Sequence, residues 1–568
     1  MFFVTFVARS FVLFVAAALA VAAAPAAPPR FSVVEASITG MQRALQQRRV
    51  TSRELVQQSL TRIALYEDRL NAIIYVNPHA LEEADARDRE RAAGRVRGPL
   101  HGIPIALKDN IQTRDMPTTG GALAFAGLVP PYDATVTKNL RDAGAVIMAK
   151  TQLTELANWV TVGMPANSNS FNGYGMNPYD PRRDPRDALA DGRPVLTTGG
   201  SSSGVGTAVS FWAGNVGTET SGSILSPANQ NMLAGIKPTV GRVSRYGIIP
   251  ITADQDTAGP MARSLTDAAI MLGVLESAAP DPNDPATTTC TPPPGRDYTR
   301  FLDRNALRGA RIGVPRAFFY DAVTAGASLT PRGGLTPEQQ RVMHEAIAEL
   351  TRQGAVVVDP ADIPSIVEWD PARNFLDWPV CSGPDNAKGK DANCTTTYKY
   401  GMKRDFSKWL ALLGNAAPVK SLGELRAWNE AHTAAGTVKY GQSNLDNADE
   451  TDLVADRARY EADRRKDLLL TAKHGIDEVM KAKRLDALLF PAQNGNGIAA
   501  RAAYPSVIVP FATVPNNAPP AFPAGFDPQP APFGVTFTGM ACSEPRLIAL
   551  AYAFEQATKK RVPPPLFP

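Results

Sequence analysis

The chain has 568 residues, 44% apolar and 20% charged, with a formal net charge of +4. That length allows two or three average domains, and the composition is globular rather than disordered or fibrous. So small a charge, with no basic run, leaves no electrostatic footprint for nucleic acid; Arg182, Arg183 and Arg186 cluster, but Asp180, Asp184 and Asp187 neutralise them.

The first segment reads as an export leader. Arg9 is its early charge, Phe11–Ala23 is wholly apolar, and small residues and Pro25 follow. Cleavage after Ala22 or Ala26 fits the small-x-small pattern and would remove up to residues 1–26. An uncleaved anchor is the competing reading, because the first 29 residues carry enough apolar sequence to span a bilayer. No later segment does, so no stable span is expected after cleavage.

Thr51-Ser52-Arg53-Glu54 reads as a capping box, starting an amphipathic helix that runs to about Asn71. A second helix is expected over Pro78–Ala93. Gly102–Lys108 is a short apolar run, a buried strand that ends on a charge. A helix over Ala134–Ala143, stopped by Gly144, leads to a strand at Val146–Ala149, and Thr151–Asn158 reads as the start of another helix. Further strands are expected at Ala310–Val314, Ala355–Val358, Ala487–Phe490 and Pro505–Pro510. Helices are expected at Thr336–Gln353, Asp477–Lys483 and Pro545–Thr558. The proline-rich Val514–Pro532 reads as a surface loop. Helices alternating with short apolar strands give an α/β fold. No repeat and no linker interrupts residues 30–568, which are expected to form one domain.

Export permits disulfides. Of the four cysteines, Cys381 and Cys394 flank a polar loop and are the expected pair; Cys290 and Cys542 either pair or stay free. Closing the shorter loop adds about 3 kcal/mol in the chain-entropy model. No CxxC and no HExxH occurs, so a metal site has no support.

Chemistry concentrates in Thr197–Thr239. Two serine-glycine clusters lie there, GGSSSG at Gly199–Gly204 and ETSGS at Glu219–Ser223. Glycine beside serine lets backbone N–H groups approach a ligand. A solvated linker would not carry Val205, Ala208, Val209, Phe211, Trp212 and Val216. A serine hydroxyl needs a base to become a nucleophile. The histidines are His79, His101, His344, His432 and His474, none near either cluster in sequence. A lysine serves instead if burial keeps it neutral, and Lys108 ends the apolar run GIPIALK.

Lys108, Ser201 in GGSSSG and Ser223 in TSGS together resemble the amidase signature family. The likeness extends from Ser52 to Thr558. It includes KTQLTELANW at Lys150–Trp159, NPYDP at Asn177–Pro181, DQDTAGPMARSLTDAA at Asp254–Ala269 and GVTFTG at Gly534–Gly539. GTET at Gly217–Thr220 is shared with a subset that includes peptide-amide hydrolases. The resemblance implies a single large α/β/α layered domain with a mixed, twisted central sheet. It implies Ser223 as nucleophile, Ser201 as a middle serine held by a cis peptide, and Lys108 as base. The N–H groups of Thr220, Ser221, Gly222 and Ser223 would form the oxyanion hole. The implied reaction converts a carboxamide and water to a carboxylate and ammonia or an amine, through an acyl-enzyme and without a cofactor. Peptide, aryl, fatty-acid and small carboxamides all remain open as substrates, and the oligomeric state is not legible. The chain departs from the family pattern at Ser221, at Met232 and in a Ser201–Ser223 connector about two residues short.

Other readings compete. Gly200-x-Ser202-x-Gly204 also fits the nucleophile elbow of an α/β-hydrolase esterase, with Ser202 as nucleophile. A binding protein that kept the fold and lost the chemistry is a third reading. Ser202 and Ser203 either donate hydrogen bonds around the site or fill the loop. Asp256 and Arg263 are expected to form a supporting ion pair, and Asn158 and Trp159 either line a substrate channel or pack in the core.

Overall fold

The computed structural model describes residues 31–568; the leader expected over residues 1–26 lies outside them. Thirteen strands are β1 (Ile73–Val76), β2 (Pro104–Lys108), β3 (Val146–Thr151), β4 (Ser168–Asn169), β5 (Gly173–Tyr174), β6 (Gly214–Glu219), β7 (Ala234–Lys237), β8 (Thr257–Ala262), β9 (Arg311–Gly313), β10 (Val356–Val358), β11 (Ala487–Pro491), β12 (Ser506–Val514) and β13 (Ala531–Thr538). Strands β4 and β5 form a separate hairpin. The rest make an 11-stranded sheet in the order β1-β3-β2-β6-β8-β7-β12-β13-β11-β9-β10. The sheet is mixed: β3, β2 and β6 run parallel, as do β11, β9 and β10, and an antiparallel block joins them.

Both faces of the sheet are covered, as period-two alternation along the strands shows. Ile105 and Leu107 enter the main core, whereas Ala106 packs on the other face with Val205 and Trp212. Val507 and Val509 likewise enter the main core, while Ile508 meets Ile224, Leu225 and Ala228. The helices Leu265–Leu275 and Glu544–Thr558 pack against the antiparallel strands. The result is a single α/β domain of layered helices and sheet. No helix of the described residues is long and apolar enough to cross a membrane.

The capping box forms as expected: the Thr51 hydroxyl accepts from the Glu54 N–H and the Glu54 carboxylate accepts from the Thr51 N–H, opening the helix Ser52–Leu70. The helix expected over Thr151–Asn158 does not form. Thr151 ends β3, and Leu156, Ala157 and Asn158 are left-handed, with φ of 43°, 57° and 73°. Tertiary hydrogen bonds replace the helical ladder: the Leu156 N–H donates to the Gly120 carbonyl (2.8 Å), and the Glu155 carboxylate accepts from the Ser170 N–H (2.7 Å). Both cysteine pairs are bonded, Cys381–Cys394 and Cys290–Cys542, which resolves the second pair that the sequence left open.

Beside the site, Lys150 and Asp109 form an ion pair at 3.0 Å with neither side chain exposed. Lys150 also donates to the Thr118 hydroxyl (2.7 Å), and Asp109 accepts from the Thr119 N–H (2.9 Å). Lys150→Met would leave a buried, uncompensated carboxylate. It is expected to cost about 3–5 kcal/mol of stability, read as a lowered denaturant midpoint.

Candidate active site

Strands β2 and β6 run side by side with Leu107 opposite Val216. Lys108 therefore leaves the carboxyl end of β2 next to Thr218, at the strand ends where open α/β sheets place ligands. Its Nζ lies 2.8 Å from Ser201 Oγ, 2.9 Å from Thr218 Oγ1 and 3.4 Å from the Thr218 carbonyl. Asn110 donates to the same Thr218 hydroxyl at 3.0 Å. Lys108 is completely buried, and loss of solvent lowers its pKa to about 7, although Asp256 and Glu219 pull the other way.

The Gly200–Ser201 peptide is cis. Its loop is pinned from both sides. The Ser201 carbonyl accepts from the Thr154 N–H (2.9 Å), and Asn167 Nδ2 donates to the carbonyls of Gly199 (2.6 Å) and Ser202 (3.1 Å). The Ser202 N–H donates to the Ser223 carbonyl at 3.2 Å, joining the two serine clusters directly.

Ser202 cannot be the nucleophile in this arrangement. Its hydroxyl has no exposure; it donates to the Thr218 carbonyl (3.0 Å) and accepts from the Thr218 N–H (3.1 Å). The hydroxyl thus completes the hydrogen bonding of β6, which corrects the α/β-hydrolase reading. Gly217 leaves the room: a Cβ there would sit 2.8 Å from Ser202 Oγ. Ser203 Oγ accepts from the Val205 N–H at 3.4 Å, a local loop contact.

The turn from Thr220 to Ser223 is braced from below. One Glu219 oxygen accepts from the N–H groups of Ile224 (2.7 Å) and Leu225 (3.0 Å). Gly222 has φ of +83°, and a Cβ there would lie 2.3 Å from Asn496 Nδ2, so the turn demands glycine twice over. The Thr220 hydroxyl donates to Asp256 Oδ1 (2.6 Å), and Gln255 Nε2 donates to the Thr220 carbonyl (3.2 Å). The other Asp256 oxygen accepts from the N–H groups of Ile251 (2.9 Å) and Thr252 (3.0 Å), and burial raises this carboxyl to about 7.

The expected Asp256–Arg263 pair is absent. The two residues flank opposite ends of β8, about 23 Å apart at the rise of an extended strand. Arg263 instead donates to the carbonyls of Thr207 and Trp212, each at 2.8 Å, and of Ala36 at 2.7 Å. Met232 packs with Tyr179, Val195 and Leu196 in a small cluster of its own. The connector after Ser201 holds a single helical turn, Val205–Ala208.

Ser201, Thr220, Ser221 and Ser223 open onto one cavity of about 320 Å³. Ser223 is 7% exposed and Ser201 1%; Lys108 lies behind Ser201. Asn158 and Trp159 do line the cavity, with Trp159 set against Tyr398 at 4.8 Å between ring centres. Sequence reasoning missed Tyr398, Ile251, Asn444 and Ser382, which complete the wall; Ser382 comes from the loop closed by Cys381–Cys394. Among the described residues, no acidic or basic side chain lines this cavity.

A family model for amidases matches residues 54–548. The chain belongs to the amidase family. A probable amidase of Arabidopsis thaliana is 32% identical over 543 residues, covering 94% of this chain and 92% of its own length. Among solved structures, native peptide amidase from Stenotrophomonas maltophilia is 37% identical with a TM-score of 0.76, covering 93% of this chain and 98% of that one. An amidase family protein from Bacillus anthracis is 29% identical with a TM-score of 0.77, covering 94% of this chain and 92% of that one. The protein is an amide hydrolase.

Proposed function

We propose that the protein hydrolyses the carboxamide of neutral, peptide-like substrates through Ser223, Ser201 and Lys108. One observation carries this reading: a fully buried lysine touches Ser201 Oγ at 2.8 Å, and Ser201 and Ser223 face one cavity without charged walls. Lys108, held neutral by burial, takes the proton of Ser201, which takes that of Ser223. Ser223 Oγ then bonds to the amide carbon. The N–H groups of Thr220–Ser223 receive the oxyanion, each such donor being worth about 3 kcal/mol. The relay returns the proton to the nitrogen as the C–N bond breaks, and ammonia or an amine leaves. Water then attacks the acyl-enzyme by the same path, giving the carboxylate and free Ser223.

An uncharged wall offers no partner for the ammonium or carboxylate of a free amino acid. Asn158, Ser382 and Asn444 suit the neutral amide groups of a blocked peptide. The similarity to a peptide amidase points the same way. Export remains part of the proposal; it rests on the apolar run Phe11–Ala23 and accords with two disulfides.

A panel of N-acylated amino-acid amides, anilides and free asparagine or glutamine tests the reading through ammonia or amine release. Turnover of the blocked amides over the free amino acids is expected. Folded protein that releases nothing from any blocked amide would refute it.

A further inference from the structure

A second cavity, of about 380 Å³, adjoins the one that holds Ser201 and Ser223. The two share Ala157, Thr220 and Ile251 as walls. Thr220 and Ile251 thus stand between Ser223 and the second space, which lies directly beside an amide held at Ser223. The floor of that space is apolar, built by Ile248, Ile249, Pro250 and Trp409, with Leu412 at its mouth. Trp409 is nearly buried, whereas Leu412 is 44% exposed.

The acids of this second cavity are already partnered. Asp284 accepts from Arg245 Nε at 2.8 Å, and Asp405 from Arg404 Nη2 and the Ala253 N–H, each at 2.7 Å. Asp256 is spent on Thr220, Ile251 and Thr252. Lys408 stands exposed at the mouth. Ions bound to each other make poor anchors for a charged ligand, while apolar walls favour a group that removes them from water.

We infer that this second cavity is a substrate subsite that takes a bulky apolar or aromatic group of the amide. The inference rests on the amide-hydrolase reading of Ser223 and names the substrates that reading left open. Aromatic groups gain most from such a floor because of the area they bury.

The test compares N-acetyl-phenylalaninamide with N-acetyl-alaninamide in the wild type and in Leu412→Arg. Leu412 lies at the surface, so the variant is expected to fold. The wild type is expected to favour the phenylalanine amide in kcat/KM by about tenfold to a hundredfold, the range that apolar pockets achieve. Leu412→Arg is expected to bring the ratio towards one; general damage would lower both rates and leave the ratio intact. A wild-type ratio near one, or a ratio that Leu412→Arg does not change, overturns the subsite even if amides are hydrolysed. A binding arm separates the two readings. Calorimetry on Ser223→Ala measures N-acetyl-phenylalaninamide with and without Leu412→Arg. Binding that the arginine weakens supports the subsite even if the wild type proves inactive; undetectable or unchanged binding overturns it.

Discussion

Ser223→Ala is expected to lower kcat for a blocked amino-acid amide by roughly 10⁴- to 10⁶-fold, the cost of deleting a serine nucleophile from a working relay. Fluorophosphonate labelling should vanish with it. Ser202→Ala should behave differently, although the two serines are tied by a main-chain hydrogen bond. The Ser202 hydroxyl satisfies both the N–H and the carbonyl of Thr218. Its loss strands the buried Thr218 N–H and leaves the carbonyl only the 3.4 Å contact from Lys108, at a cost of about 1–3 kcal/mol. Ser202→Ala should therefore melt earlier and still accept the phosphonate at Ser223. Labelling that survives in Ser223→Ala and disappears in Ser202→Ala would reverse the assignment.

The parts of this site that were legible in the sequence are those that chemistry restricts to one residue type. A serine between glycines, and a lysine at the end of an apolar strand, carry their meaning locally, so Lys108, Ser201 and Ser223 stand out. Their supports do not. Tyr398 and Asn444 reach the cavity from helices far along the chain, and no local pattern marks them. Strands β6, β7 and β8 went unanticipated because GNVGTE, AGIK and TAGPMA are rich in glycine, alanine and proline. Such residues have little preference for extended structure and form strands here because both sheet faces are covered. The segment Leu156–Asn158 misled for the opposite reason: its composition favours a helix, and contacts with Gly120 and Ser170 override it. The Asp256–Arg263 pairing failed because opposite charges seven positions apart meet only if the chain between them turns, and here it is a strand.

Lys108→Met is expected to reduce kcat/KM by roughly 10²- to 10⁴-fold, the usual contribution of a general base, and to alter its dependence on pH. In the proposed mechanism the neutral lysine is the active form, and burial lowers its pKa from 10.5 to about 7. Activity of the wild type should therefore fall as pH drops through about 7. Lys108→Met should lose that acidic limb along with most of the rate. Asp256 and Glu219 are the charges that hold the proton on Lys108. Asp256→Asn removes one of them, so its limb should move to lower pH; a shift to higher pH would contradict the charge assignment. Stability carries the same signature with its own sign. Between pH 7 and 10.5 the unfolded chain keeps the Lys108 proton that the folded chain has lost, so this residue's contribution to stability rises with pH across that window. Lys108→Met abolishes the difference in proton binding. Its gain in stability over the wild type should therefore be greatest below pH 7 and shrink towards 10.5, the mark of a lysine that the fold keeps dry.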